Sequence, residues 1–174
     1  GIILYYSFIV LNQFFDSPEV IAILIILIEI ILTGGLHLDG LADTFDGIFS
    51  YRSKKRMLEI MKDSRIGSNG ALSLIIYFAL KGTLLKEVIS IDESPYFLLV
   101  MPVIARFNST LNCGVAKYAR PSGMGKSIVE ETNIVSVLIS LVITLAFSYY
   151  FIGMTGIYAL VVVSILGIYF AKLM

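Results

Sequence analysis

Asp39, Asp43 and Asp46 stand at i, i+4 and i+7 within the string TGGLHLDGLADTFDG, residues 33–47. On a helix that spacing places three carboxylates on one face, with neighbours about 6 Å apart. At an effective dielectric of about 20, each adjacent pair repels by roughly 3 kcal/mol. Folding gains nothing from this arrangement at a membrane surface unless a cation neutralises it. Oxygen-only ligation suits Mg²⁺ or Mn²⁺, and Mg²⁺ commonly combines one or two carboxylates with substrate phosphates. Gly40 and Gly47 lower helix propensity but let a bulky ligand approach the backbone. The plainer reading is a solvated acidic helix end, and the flanking glycines and the cationic stretch that follows weigh against it. His37 is open between three roles: a partner supporting the site, a general base, or an interfacial histidine packed under the helix end.

The stretch MLEIMKDSRIGSNG, residues 57–70, supplies the complementary charge. Lys62 and Arg65 can hold phosphate oxygens, arginine in bidentate fashion, while Asp63 adds a carboxylate to a metal shell. Ordinary basicity of a membrane-flanking loop accounts for Arg52, Lys54, Lys55 and Arg56, but poorly for Asp63. A third stretch, YARPSGMG at 118–125, sets Arg120 before a Pro/Gly-rich turn where it can grip an anion.

These residues need a scaffold, and the composition points to lipid. Of the 174 residues, 57% are hydrophobic and only 15% charged, and the mean hydropathy is +0.89. Soluble domains run closer to half apolar and about a quarter charged. The formal net charge of zero argues against general nucleic-acid binding. The single Cys113 excludes an internal disulfide framework. No basic leader with a cleavage site opens the chain. It begins at Gly1 rather than Met and stops inside an apolar run at Met174, so we read it as a fragment trimmed at both ends.

Apolar runs predict an all-α, polytopic membrane protein with about six spans, near 2–15, 20–36, 70–88, 95–112, 133–151 and 155–171. Each approaches the roughly 20 residues needed to cross about 30 Å of hydrocarbon. Ser17 followed by Pro18 reads as an N-cap and first helical position, and Ser94 as the cap of the fourth span. Basic residues gather in the 37–69 and 113–131 loops and at Lys172, whereas the short turns carry Asp16, Glu19, Asp92 and Glu93. Six spans put all the basic segments on one side, which the positive-inside rule assigns to the cytoplasm. Lys81 and Arg106 fall inside spans, where a charge costs several kcal/mol unless paired or hydrated. They are expected to face a polar cavity, with Glu29 of the second span as counter-ion. One membrane domain, 1–174, with its active site on the cytoplasmic face, is the expected organisation.

The three strings, in this order and spacing, resemble the cobalamin synthase family (adenosylcobinamide-GDP ribazoletransferase). The resemblance implies a Mg²⁺-dependent transferase of the last steps of vitamin B12 synthesis. Such an enzyme joins adenosylcobinamide-GDP to α-ribazole, or to its 5′-phosphate, with release of GMP. By motif, it implies Asp39, Asp43, Asp46 and Asp63 as metal-site or catalytic carboxylates, one of them serving as base. It implies His37, Lys62, Arg65, Lys81, Arg106 and Arg120 as substrate contacts. The implied setting is the cytoplasmic membrane of a prokaryote, with the bilayer and the two substrates as partners, no nucleic acid, and homo-oligomerisation left open. Phe45 departs from the family, where a small residue is usual. The family's C-terminal glycine-rich GGxTGD-type segment lies outside these 174 residues, and Glu29 is not part of the family pattern.

Two other readings compete. CDP-alcohol phosphotransferases also set an Asp/Gly-rich helix at the membrane surface, but their downstream Asp pair has no match here. A cation channel or carrier with an acidic mouth would leave Lys62 and Arg65 unexplained.

Overall fold

The structure, a computed structural model, describes residues 1–91, 95–116, 118–119, 123 and 125–173. Ser94, Asp92, Glu93, Lys117 and Arg120 therefore lie outside the described residues. Those described form helices and connecting turns without a strand: α1 (Ile2–Phe14), α2 (Pro18–Thr33), α3 (Leu36–Ile48), α4 (Lys54–Ile60), α5 (Ser68–Ser90), α6 (Phe97–Val115), α7 (Lys126–Glu131) and α8 (Ile134–Leu173).

Two compact units divide the chain, Tyr6–Glu93 in one and Gly1–Tyr5 with Ser94–Met174 in the other. In the first, α5 packs against α2 and α3, and α4 against α3. Helix α2 starts as its sequence dictates: the Ser17 hydroxyl accepts from the Val20 amide at 3.3 Å and Pro18 occupies the first turn. It stops at Gly34, whose φ of 60° is left-handed, and Gly35 follows at 71°. Two consecutive left-handed residues are cheap only for glycine. They turn the chain by 90° into α3, so α2 and α3 make a sharp elbow.

In the second unit α6 packs along α8 and touches α7. Unbroken, α8 would be roughly 60 Å long at 1.5 Å per residue. It breaks at Gly153, at φ 60° and ψ −141°. Leu141 and Leu145 before the break pack on the same cluster of Val100, Ile104, Phe107 and Leu160 as Val163 after it. A straight rod could not bring both stretches to one place, so the arms at 134–152 and 154–173 fold back on each other. The close approach of Gly156 to the Ser148 carbonyl, where a Cβ would stand 2.7 Å from the oxygen, marks the crossing.

Among the described residues, two helices are long and apolar enough to cross a membrane, within 97–115 and 134–171, and three if the bent α2–α3 pair forms one span. Large apolar side chains cover the outer faces, among them Ile23, Ile31, Ile75, Ile134 and Ile165. Apolar exposure on that scale is what a lipid-facing surface requires. This is a membrane protein.

Candidate functional site

The acidic string forms α3 as its spacing predicts, so Asp39, Asp43 and Asp46 share a face. Asp39 and His37 lie exposed in the first turn, where the helix dipole favours a carboxylate. Asp43 and Asp46 are half-buried. Phe45 turns its ring onto Phe49, centroids 5.4 Å apart, which in turn meets Tyr51 edge-on.

Asp46 has two partners far along the chain. One carboxylate oxygen accepts from the Gly67 amide at 2.7 Å and the other from the Gly70 amide at 2.8 Å. Gly67 is the N-cap of α5 and has no side chain to cap the helix. The first-turn amides of a helix have no intrahelical acceptors, and Asp46 supplies them. A Cβ on Gly70 would come 2.5 Å from Asp46 Oδ2 and 3.0 Å from the Ala42 carbonyl oxygen; one on Gly67 would overlap the carboxylate. The GSNG stretch is therefore glycine at both ends because α3 approaches α5 this closely. Gly47 plays the same part toward α4, where a Cβ would stand 2.7 Å from Met61 Cγ.

Between α4 and α5, Asp63 and Arg65 bind one another. The Arg65 guanidinium donates from Nε at 3.0 Å and from Nη2 at 2.6 Å, and the Arg65 amide adds a bond at 3.1 Å. The guanidinium and amide bonds hold the Asp63 carboxyl down at about 2. In return, the carboxylate raises the pKa of Arg65. Arg65 nonetheless keeps 87% of its side chain exposed. A guanidinium carries five N–H groups, so its other edge is open to a further acceptor. Lys62 is exposed in the same loop. Arg56 is occupied on α4 by Glu59 at 2.7 Å, in keeping with a solvated basic surface.

Lys81 on α5 meets its expected counter-ion. Its ammonium pairs with Glu29 on α2 and donates to the Tyr77 hydroxyl at 2.7 Å, half-buried between the helices. Arg106 belongs to the other unit, exposed on α6, and has no ion pair among the described residues. Of the third motif, Tyr118 and Gly123 are described and lie in contact; Arg120 lies outside the described residues.

The donor set on α3 is all oxygen, the chemistry Mg²⁺ prefers. Among the described residues, no three His, Cys, Asp or Glu side chains stand close enough to share an ion. Mg²⁺ does not require three, because it completes its shell with water and substrate phosphate. A pair of α3 carboxylates one turn apart fits that habit.

Fold and site together define an all-α membrane protein with an acidic helix docked on the start of another and a Lys/Arg loop between them. The family model described as CobS, cobalamin-5-phosphate synthase, matches residues 1–174, and the chain belongs to that family. Three relatives carry the name adenosylcobinamide-GDP ribazoletransferase. That of Fusobacterium nucleatum is 49% identical over 146 residues, covering 82% of this chain and 52% of the relative. That of Acetivibrio thermocellus is 48% identical over 139 residues, covering 79% and 55%. That of Caldanaerobacter subterraneus is 38% identical over 168 residues, covering 95% and 66%. The chain thus spans between about half and two-thirds of the length of these relatives. No solved structure matches it.

The sequence reading missed two features of the site. The Gly34-Gly35 pair, which aims α3, was visible as a dipeptide. The amide partners of Asp46 were not, since backbone donors have no sequence signature; only the glycines at 67 and 70 hint at them.

Proposed function

We propose that the chain acts as a membrane-embedded adenosylcobinamide-GDP ribazoletransferase, in the last steps of cobalamin synthesis. The observation that carries the reading is the juxtaposition within one unit of the α3 carboxylates and the Lys62–Arg65 loop, in a chain matched by the family over its whole length. The ribose 3′-hydroxyl of α-ribazole, or of its 5′-phosphate, attacks the cobinamide-linked phosphorus. A new P–O bond forms, the bridging P–O bond breaks, GMP leaves, and the hydroxyl proton passes to a carboxylate of the α3 face. Asp39 and Asp43 are the residues that would hold Mg²⁺. When bound, the ion offsets charge on the diphosphate and on the departing GMP. Lys62 and the open edge of Arg65 take the remaining phosphate oxygens, with Asp63 orienting the guanidinium. Phosphoryl transfer is mainly positioning and electrostatic stabilisation, and these groups supply both. His37, Lys81, Arg106 and Arg120 are further substrate contacts in this reading.

Six crossings, by α1, α2, α5, α6 and the two arms of α8, agree with the charge distribution. They set the acidic helix and the basic loops at the cytoplasmic face of a prokaryotic membrane. The test supplies the full-length protein in liposomes with adenosylcobinamide-GDP, α-ribazole and Mg²⁺. GMP and a corrinoid nucleotide product should appear in equal amounts. Release of neither, or turnover of a CDP-alcohol instead, overturns the proposal.

A further inference from the structure

We propose that Asp46 is a positioning residue rather than a metal ligand: its carboxylate caps α5 through the Gly67 and Gly70 amides and so fixes the acidic face of α3 against the loop at 62–66. The functional consequence rests on the reading above, but the cap itself does not.

Each Asp46 oxygen is already committed to one amide, at 2.7 and 2.8 Å, the lengths of charge-assisted bonds. The start of α5 carries a partial positive charge from its aligned peptide dipoles. A cation brought to Asp46 would face that charge and two N–H groups pointing at the same oxygens. Asp39 also stands in the first turn of a helix, but it is exposed, and among the described residues no amide bond occupies its carboxylate. The cap also accounts for what a three-carboxylate metal shell leaves unexplained, namely glycine at both 67 and 70, where a side chain would displace the Asp46 carboxylate.

Its mechanical role follows from the chain path. The loop between α4 and α5 carries Lys62, Asp63 and Arg65 and ends at Gly67, the residue that Asp46 holds. Releasing Asp46 frees the end of that loop from α3. The acidic face then narrows to Asp39 and Asp43 as ligands, with Asp46 setting their distance from the cations.

The experiment compares full-length wild type with Asp46→Asn, Asp39→Asn and Gly67→Ala in detergent micelles. Two readouts need no turnover: Mn²⁺ binding by electron paramagnetic resonance, and hydrogen exchange at the Gly67 and Gly70 amides. Asp46→Asn should leave Mn²⁺ affinity unchanged while both amides exchange faster, since one acceptor oxygen is lost and the other loses its charge. Gly67→Ala, which keeps the carboxylate but pushes it away, should likewise speed exchange at Gly70. Asp39→Asn should weaken Mn²⁺ binding by at least about tenfold, the loss typical of disturbing even an outer-shell partner, with exchange at 67 and 70 unaltered. Asp46→Asn losing Mn²⁺ as Asp39→Asn does, or unchanged exchange at 67 and 70, overturns the proposal. If wild type itself binds no Mn²⁺, the metal reading fails and exchange alone decides the cap.

Discussion

Alanine at two glycines of one helix should change stability in opposite directions. Both Gly70 and Gly82 lie in α5, and alanine in a helix interior is favoured over glycine by about 0.8–1.0 kcal/mol. At Gly82 nothing lies within 4 Å of an added Cβ, so most of that gain should be realised. At Gly70 the same carbon would stand 2.5 Å from Asp46 Oδ2 and 3.0 Å from the Ala42 carbonyl, which is backbone and cannot swing aside. Overpacking of this kind costs about 1–3 kcal/mol, and pushing the carboxylate away weakens charge-assisted hydrogen bonds worth about 1.5–3 kcal/mol each. The net expectation is Gly70→Ala destabilised by about 1–3 kcal/mol and Gly82→Ala stabilised by about 0.5–1 kcal/mol. Reversible unfolding in mixed micelles, followed by far-UV circular dichroism, reads the difference. Equal stabilities, or a Gly70→Ala variant more stable than wild type, would refute the close docking of α3 on α5.

Glu29→Gln should destabilise the protein by about 2 kcal/mol, below the 3–5 kcal/mol of a fully buried broken pair because Glu29 is partly exposed. Replacing both Glu29 and Lys81 by leucine should recover most of the loss in the same unfolding assay. Gly153→Ala should cost about 1–3 kcal/mol, since that backbone conformation belongs essentially to glycine. A lowered Tm checks it. Because the folded Asp63 carboxyl ionises at about 2 rather than the ordinary 3.8, its contact with Arg65 contributes fully above the ordinary value. The contribution fades as pH falls through about 2. Carboxyl NMR titration should show the Asp63 pKa rising back toward 3.8 in Arg65→Ala.

Much of this architecture was legible in the residues. Ser17-Pro18 starts α2 where capping chemistry predicts, and the i, i+4, i+7 aspartates share a helix face. The apolar runs on either side of Gly153 are the two arms of α8. Glu29, placed opposite Lys81 on charge grounds, does meet it. What stayed hidden depends on the partner rather than on the residue. A carboxylate spaced for metal binding and one spaced for helix capping look alike in sequence, and Asp46 parts from its neighbours only through amides 21 and 24 positions away. Asp63 and Arg65, read as separate ligands of metal and phosphate, neutralise each other first. Arg106, expected to face a polar cavity, lies exposed on α6 and has no ion pair among the described residues.

Turnover by Asp39→Asn and Asp43→Asn variants tests the central claim most directly. Full-length wild type and variants, matched for folded protein in liposomes, would be given adenosylcobinamide-GDP, α-ribazole and Mg²⁺, and GMP release followed. Loss of a group that stabilises transition-state charge costs about 10²–10³-fold in kcat, so each variant should fall at least that far below wild type. Variants that retain wild-type kcat would contradict the assignment of the α3 carboxylates to the reacting diphosphate.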